Sequence, residues 1–561
     1  MKKNIKIINM KNIFRQIPLR FRMLVTFSCI MFTAYAQDTL WVQQQIVPIL
    51  IERQDNVLMY LRIDAKNSKE LDNITIDLPI SESLRHIKAI KLYYGGTEAR
   101  QDVSKKRFAP ACYITNFTPN RTLFALPSYS VKRDEVAPKN NLVTLKAKQK
   151  LFPGVNFFWI SIEMKPSSTL NEKIKVGLKE AVIDNSMAIL AGDTKANKCY
   201  KTAIGVRHAG DDGVAAYRIP GLVTSNKGTL LATYDVRHNN SIDLQEYIEI
   251  GLSRSIDKGV SWEPMRIPMS FGENGGLPKA QNGVGDPAIL VDEHRGTIWI
   301  IGTWTHGMGN QRAWFSSQPG MDKDHTAQLM IVKSEDDGKT WSEPINITKE
   351  VKESSSFFLL EGPGRGITMH NGTLVFPMQF IDKNRMPHAG IIYSKDHGKT
   401  WKASNPAKEN TTEAQVVELK QGELMLNMRD NRGGSRAIMT TNDMGETWQE
   451  HSSSRSALIE PICMASLIKV RAKDNCLGKD ILLFSNPNST KSRNNITIKA
   501  SLDNGLTWKE ANQMLLDEGT SWGYTCLTMV DKETVGILYE SSAAQITFET
   551  IKLNDLVKEI K

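Results

Sequence analysis

Cysteine is scarce: there are six in 561 residues, with no Cys-x-x-Cys pair and no Cys/His cluster at zinc-binding spacing. Cys29 falls in the leader, so Cys112, Cys199, Cys463, Cys476 and Cys526 remain. An odd, thinly spread set argues against a disulfide scaffold and a structural zinc module, and reads as free thiols. Acidic residues are absent before Asp38, whereas Lys2, Lys3, Lys6, Lys11, Arg15, Arg20 and Arg22 all precede it. Subtracting those seven from the formal charge of +10 leaves +3. The rest is nearly balanced, which argues against nucleic-acid binding and fits a solvated surface of mixed charge. The apolar run at residues 23–33 is too short for a comfortable membrane span, so no integral membrane partner is implied.

A basic stretch, a short apolar run and Ala34-Tyr35-Ala36 before Gln37 have the form of a secretory signal, residues 1–36, cut at Ala36/Gln37. The mature protein is expected in the periplasm, at the cell surface or in the medium. A chain of this length exceeds one ordinary core. From Thr39 to about residue 190, short β-branched and aromatic runs alternate with polar turns. Examples are residues 46–51, 57–63, 74–78, 90–94, 143–147 and 156–164. They predict an antiparallel β-sandwich over 37–190, either carbohydrate-binding or a buttress, with residues 191–198 as linker.

The remainder, 191–561, is organised by an octamer present five times. The copies begin at Ser255, Ser334, Ser394, Thr441 and Ser501. Each has Asp at its third position, Gly at its fifth, Ser or Thr at its seventh and Trp at its eighth: Trp262, Trp341, Trp401, Trp448 and Trp508. Recurrence every 45 to 80 residues or so marks a repeating structural unit. Strand-like runs opening with glycine, such as 228–235, 296–302, 372–377 and 422–427, are separated from one another by the copies. That is the rhythm of a β-propeller, and about 360 residues at roughly 60 per blade predicts six blades. The octamer is explained as a turn: Asp and Ser/Thr bond to the backbone, Gly takes a positive φ and Trp packs beneath. Calcium binding is the other reading, for which one carboxylate per turn is a poor ligand set. The octamer-free run 545–553 is expected to close the ring beside the first blade.

Fold does not give function. In a propeller, residues distant in sequence converge at one end of the axis, and four polar stretches stand out: 217–220, 426–430, 485–493 and 521–526. With Arg218-Ile219-Pro220 ahead of all five octamers, known there as Asp boxes, the chain from about residue 200 resembles the exported bacterial sialidases (neuraminidases), Bacteroides-like in pattern. The resemblance implies an exo-α-sialidase that removes terminal sialic acid from glycoproteins, glycolipids or oligosaccharides without a cofactor or metal. It carries the three carboxylate-gripping arginines onto Arg218, Arg429 and Arg493, whose guanidinium forks suit an anionic sugar. Arg493 is preferred to Lys491 by charge type and by its place before a strand.

It also implies Tyr524 as nucleophile, Glu413 as the base that takes its proton and Asp243 as general acid/base. A neutral phenol avoids the repulsion a carboxylate nucleophile would meet near the substrate's own carboxylate. Arg237 and Asp286 are carried over as contacts to sugar hydroxyls, and Glu540 as the support of Arg218. Residues around Trp304, His306 and Met308 are expected to shape the glycerol or leaving-group pocket. Two other readings remain: a non-catalytic sialoglycan-binding propeller, and a sialidase that transfers the sialyl group to a sugar hydroxyl or to its own glycerol chain.

Overall fold

The computed structural model describes residues 38–97, 130–309 and 311–558. The leader with its cleavage position, together with Cys112, lies outside the described residues. The fold is all-β: a β-sandwich followed by a six-bladed propeller, and among the described residues the α-helices have only four residues each, at Ala313–Ser316, Thr348–Val351 and Leu553–Leu556.

The sandwich packs a six-stranded sheet on a four-stranded one. Its strands include Asn56–Ala65, Lys69–Asp77, Ile87–Gly96, Leu142–Leu151 and Gly154–Met164. Side chains alternate in and out, and Leu61, Ile74, Leu92, Leu145 and Ile160 lie in one apolar core between the sheets. Two details depart from the sequence reading. Ala191 and Gly192, expected in the linker, belong to the strand Ile189–Gly192, which pairs in parallel with Thr39–Gln44. In the run 46–51 only Ile49–Leu50 is strand, and it pairs not with the sandwich but with Tyr200–Arg207 in the propeller.

The propeller's six blades have inner strands at Ala216–Thr224, Val284–Val291, the broken edge Phe358–Glu361 to Ile367–Thr368, Thr411–Lys420, Ser466–Val470 and Thr525–Asp531. Each junction between neighbouring blades is filled by its own apolar cluster, including the junction of the sixth blade with the first. There the Leu222 N–H donates to Cys526 Sγ at 3.2 Å, so the ring is closed by contact of its first and last inner strands. The sixth blade takes its third strand, Ile546–Lys552, from the end of the chain and its outer strand, Tyr200–Arg207, from the start. The run 545–553 thus closes the ring within the last blade, against Tyr200–Arg207, rather than against the first.

All five octamers form the turn from a blade's third strand to its fourth. In the third copy Ser394 Oγ donates to Asp396 Oδ1 at 2.7 Å and accepts the Gly398 N–H at 2.8 Å. Asp396 also accepts the Thr400 N–H at 3.0 Å and hydroxyl at 2.7 Å. The residue before each glycine and the glycine itself both have positive φ, 59° and 84° at His397 and Gly398. That double left-handed step accounts for the invariant glycine position. Each Trp fills the junction with the preceding blade, as Trp401 does beside Trp299 at 6.1 Å between ring centroids. The sixth blade has no octamer because its third and fourth strands come from opposite ends of the propeller and no turn joins them. The junction between fifth and sixth blades, left without an octamer Trp, is filled by Leu553 and Leu556 of the last helix and by Val557 just after it.

Candidate active site

Three of the proposed site residues sit at irregularities in inner strands. Pairing slips between Arg218 and Gly221 in the first blade, Gly285 and Ala288 in the second, and Thr411 and Ala414 in the fourth. These bulges re-aim Arg218, Asp286 and Glu413 out of the sheet alternation toward one end of the axis. The backbone is strained there: Ile219 has φ 62° and Asp286 φ 57°, costly for a β-branched residue and offset by surrounding bonds. The Ile219 and Tyr524 N–H groups both donate to the buried Glu540 carboxylate, each at 3.0 Å, which also accepts from Arg218 Nε at 3.0 Å. Glu540 therefore holds the first and sixth blades together as well as aiming the arginine.

The other side chains come from strand ends and loops on the same side. Arg218, Asp243, Asp286, Glu413, Arg429, Arg493 and Tyr524 line one cavity of about 590 Å³. Tyr524 Oη donates to Glu413 Oε1 in a short hydrogen bond, and Arg429 Nη1 donates to Glu413 Oε2 at 2.7 Å. The Arg218 and Arg493 guanidinium carbons stand 5.3 and 5.7 Å from the Tyr524 ring centre. Gly523 permits this crowding: its φ is 86°, and a Cβ there would stand 2.8 Å from Pro487 and 3.2 Å from the Arg493 side chain.

Burial and the Glu413 charge push the Tyr524 phenol well above its usual pKa, so it is neutral and needs a base. Burial opposes the charge on Glu413, but Arg429 and the Tyr524 hydroxyl outweigh it and hold the carboxyl below the ordinary range. Burial likewise opposes Arg218 and Arg429, but Glu540 and Asp243 beside the first and Glu413 beside the second raise both guanidinium pKa values. Asp243 lies in the loop after the strand Leu230–Arg237, with its side chain 48% exposed. Burial again opposes its charge, but Arg237 at 2.8 Å and Arg218 at 3.6 Å pull it down to about 2.

Seven of the nine side chains line the cavity, and Glu540 bonds to one of them, Arg218. Arg237 differs: it is fully buried, does not line the cavity and bonds to Asp235 and Asp243. In this geometry it steadies Asp243 rather than facing a sugar hydroxyl.

Residues 37–187 match the N-terminal domain of BNR-repeat neuraminidase, and residues 219–540 match the BNR repeat-like domain. The chain is 60% identical over 535 residues to a sialidase of Bacteroides fragilis, an alignment spanning 95% of this chain and 98% of that one. The chain belongs to the sialidase family.

It is 31% identical over 367 residues to a sialidase of Paraclostridium sordellii, across 62% of this chain and 86% of the relative. The structure of the Hadza microbial sialidase Hz136 superposes with a TM-score of 0.87 at 55% identity, covering 92% of this chain and all of that one. The protein is thus a glycoside hydrolase, which disfavours the purely binding reading.

Some parts of the sialidase site escaped the sequence. Asp235 is buried, accepts both Arg237 Nε and Nη2 at 3.0 and 2.8 Å, and accepts the Asp286 N–H at 2.8 Å. Burial and the neighbouring Asp235 push Asp286 well above the usual carboxyl range, and Arg237 counters this only in part. Asp235 and Arg237 are two apart on one strand and so share a face, a pairing that strand periodicity could have disclosed.

The buried pair Arg436 and Glu460, 2.8 Å apart, gave no such signal. Arg436 reaches the Glu413 carbonyl at 3.4 Å and the Cys463 carbonyl at 2.7 Å, bracing the strand that carries Glu413. None of Trp304, His306 and Met308 lines the cavity; Arg312, Ala313, Trp314 and Phe315, farther along the chain, do. Trp304 instead stacks on Phe271 at 4.2 Å, His306 bonds to Asn282 at 2.7 Å, and Met308 packs against a neighbouring apolar cluster. Lys491 does not line the cavity, whereas Arg493 does.

Proposed function

We propose that this sialidase is a retaining exo-α-sialidase that hydrolyses terminal sialic acid from glycoproteins, glycolipids and oligosaccharides through a tyrosyl intermediate. The arrangement carrying the reading is the Tyr524–Glu413 pair set among three arginines, with Asp243 lining the same cavity. The substrate carboxylate is gripped by Arg218, Arg429 and Arg493. Tyr524 Oη attacks the anomeric carbon as the glycosidic C–O bond breaks; the phenolic proton passes to Glu413 and the Asp243 proton passes to the departing oxygen. Water then attacks the tyrosyl–sugar bond, gives its proton to Asp243, and Glu413 returns a proton to the phenolate. Two inversions leave retained configuration, and tyrosine is the established departure from carboxylate nucleophiles in this class of enzyme.

In the free enzyme Asp243 is ionised because Arg237 and Arg218 favour its charge. A bound carboxylate that engages Arg218 removes part of that stabilisation and adds a like charge nearby. Both changes raise the Asp243 pKa toward that of a working acid.

A fluorinated sialosyl fluoride, which slows breakdown of the intermediate, tests the covalent step. Mass spectrometry of a peptic digest is expected to find the sugar on the peptide containing Tyr524. Label on a carboxylate residue, or turnover with no trapped species, rejects the assignment. Proton NMR of a natural sialoside digest is expected to show the α-anomer of free sialic acid first; an anhydro or transferred product rejects hydrolysis. Export belongs to the same proposal, and N-terminal sequencing of protein from the periplasm or medium should start at Gln37.

A further inference from the structure

Two cations at the cavity are not used as catalytic or carboxylate-gripping groups in the chemistry above, although the Arg312 charge also favours ionised Asp243. Arg312 opens the short helix Ala313–Ser316 in the second blade, and Arg385 lies between the strands Leu374–Ile381 and Pro387–Ser394 of the third. Both line the cavity and both are exposed. Neither lies within ion-pair distance of a carboxylate among the described residues, in contrast to Arg218, Arg237 and Arg429.

Arg385 is also preorganised. Its backbone has φ 61°, and its guanidinium carbon stands 4.0 Å from the centre of the Phe357 ring. Stacking on an aromatic ring restrains a long side chain while leaving the N–H edge available to an anion. Phe357 and Trp314 both pack on the apolar cluster that contains Leu244, Ala313, Phe358 and Leu360. The two arginines therefore flank one wall, and Leu244 of that wall adjoins Asp243. If Asp243 protonates the departing oxygen, as proposed above, a wall that adjoins it is placed to meet the leaving sugar.

We propose that Arg312 and Arg385 form a subsite for an anionic leaving group, a sugar carrying a carboxylate or a sulfate ester. This rests on the sialidase reading above, since Asp243 defines the leaving-group side. The five cavity-lining arginines outnumber the three lining acids, Asp243, Asp286 and Glu413. Once the substrate carboxylate has taken up the inner three arginines, the outer two remain to steer and hold a second negative charge.

The test compares kcat/KM on three sialosides: one with a neutral leaving sugar, one with the same sugar sulfated and joined by the same linkage, and one with a second sialic acid joined through its own hydroxyl. Arg385→Gln, which touches no catalytic side chain, is expected to keep turnover of the neutral substrate within about threefold and to lower that of at least one anionic substrate by about tenfold. Arg312→Gln is read by the same anionic-to-neutral ratio, because it lies nearer Asp243. Raising salt should depress wild-type turnover of the anionic substrate more than that of the neutral one. The sulfated and sialylated arms show which anion the wall accepts. Equal loss on all three substrates, or an unchanged ratio in both variants, overturns the proposal. Absence of wild-type turnover on the neutral sialoside overturns the sialidase reading itself.

Discussion

At the scale of single residues, the site is a set of charges whose neighbours decide their protonation. Tyr524 stays a phenol because burial and Glu413 disfavour its anion, so in the proposed mechanism its attack requires proton transfer to Glu413. Tyr524→Phe is expected to lower kcat by about a hundredfold or more while the thermal midpoint stays near wild type. Steady-state kinetics with calorimetry checks both. Asp243→Asn should slow sialosides with poor leaving groups far more than activated aryl sialosides, which need little protonation.

The sign of the pH effect follows from the depressed Asp243. The acid must be protonated, so rate falls as pH rises through its pKa, about 2 in the free enzyme. Substrate binding raises that pKa, so the alkaline limb of kcat should lie at higher pH than that of kcat/KM. Arg218, Arg429 and Tyr524 were legible in the sequence because the Arg-Ile-Pro motif and the box register anchor them. Asp235 was missed although its place two residues before Arg237 on one strand offered a signal; Arg436 and Glu460 offered none, because they satisfy buried partners that only the folded blade brings within reach.

At the scale of the element, the Asp box is a self-contained hydrogen-bonded staple, and its chemistry is independent of the site. Burial raises the cost of the Asp396 charge, but the Thr400 N–H and the hydroxyls of Thr400 and Ser394 outweigh it and hold the carboxyl at about 2, against an ordinary 3.8. A depressed carboxyl stabilises the folded state above its unfolded pKa, and the contribution is lost as pH falls from about 4 toward 2. Asp396→Asn should therefore melt several degrees below wild type at pH 6, with the gap narrowing between pH 4 and 3 and KM unchanged. Thermal melts across that range test it.

The bulges are the opposite kind of element. They weaken strand pairing locally and place Arg218, Asp286 and Glu413 at the axis. The alternation of apolar and polar residues predicted the strands but gave no sign of these slips, because a bulge is defined by the partner strand.

At the scale of the molecule, the ring is shut twice: the first and last inner strands touch, and Tyr200–Arg207 completes the last blade. The sandwich joins that closure through Ile49–Leu50 and through Glu518, which accepts the Ile46 N–H at 2.6 Å and pairs with Lys198 at 2.7 Å. Wild type is expected to unfold in one calorimetric transition, and Glu518→Ala should broaden or split it by loosening the sandwich from the propeller. The sequence by itself determined the all-β class and the blade count, because side-chain periodicity and turn chemistry are local properties of a chain, and its resemblance to the sialidases named most of the residues that line the cavity. Only the tertiary structure decided that Arg237 steadies Asp243 from behind, that the last helix fills the junction without a box Trp, and that Arg312 and Arg385 flank one wall. Those facts depend on which distant side chains share a buried volume, and closure of the ring sets that volume.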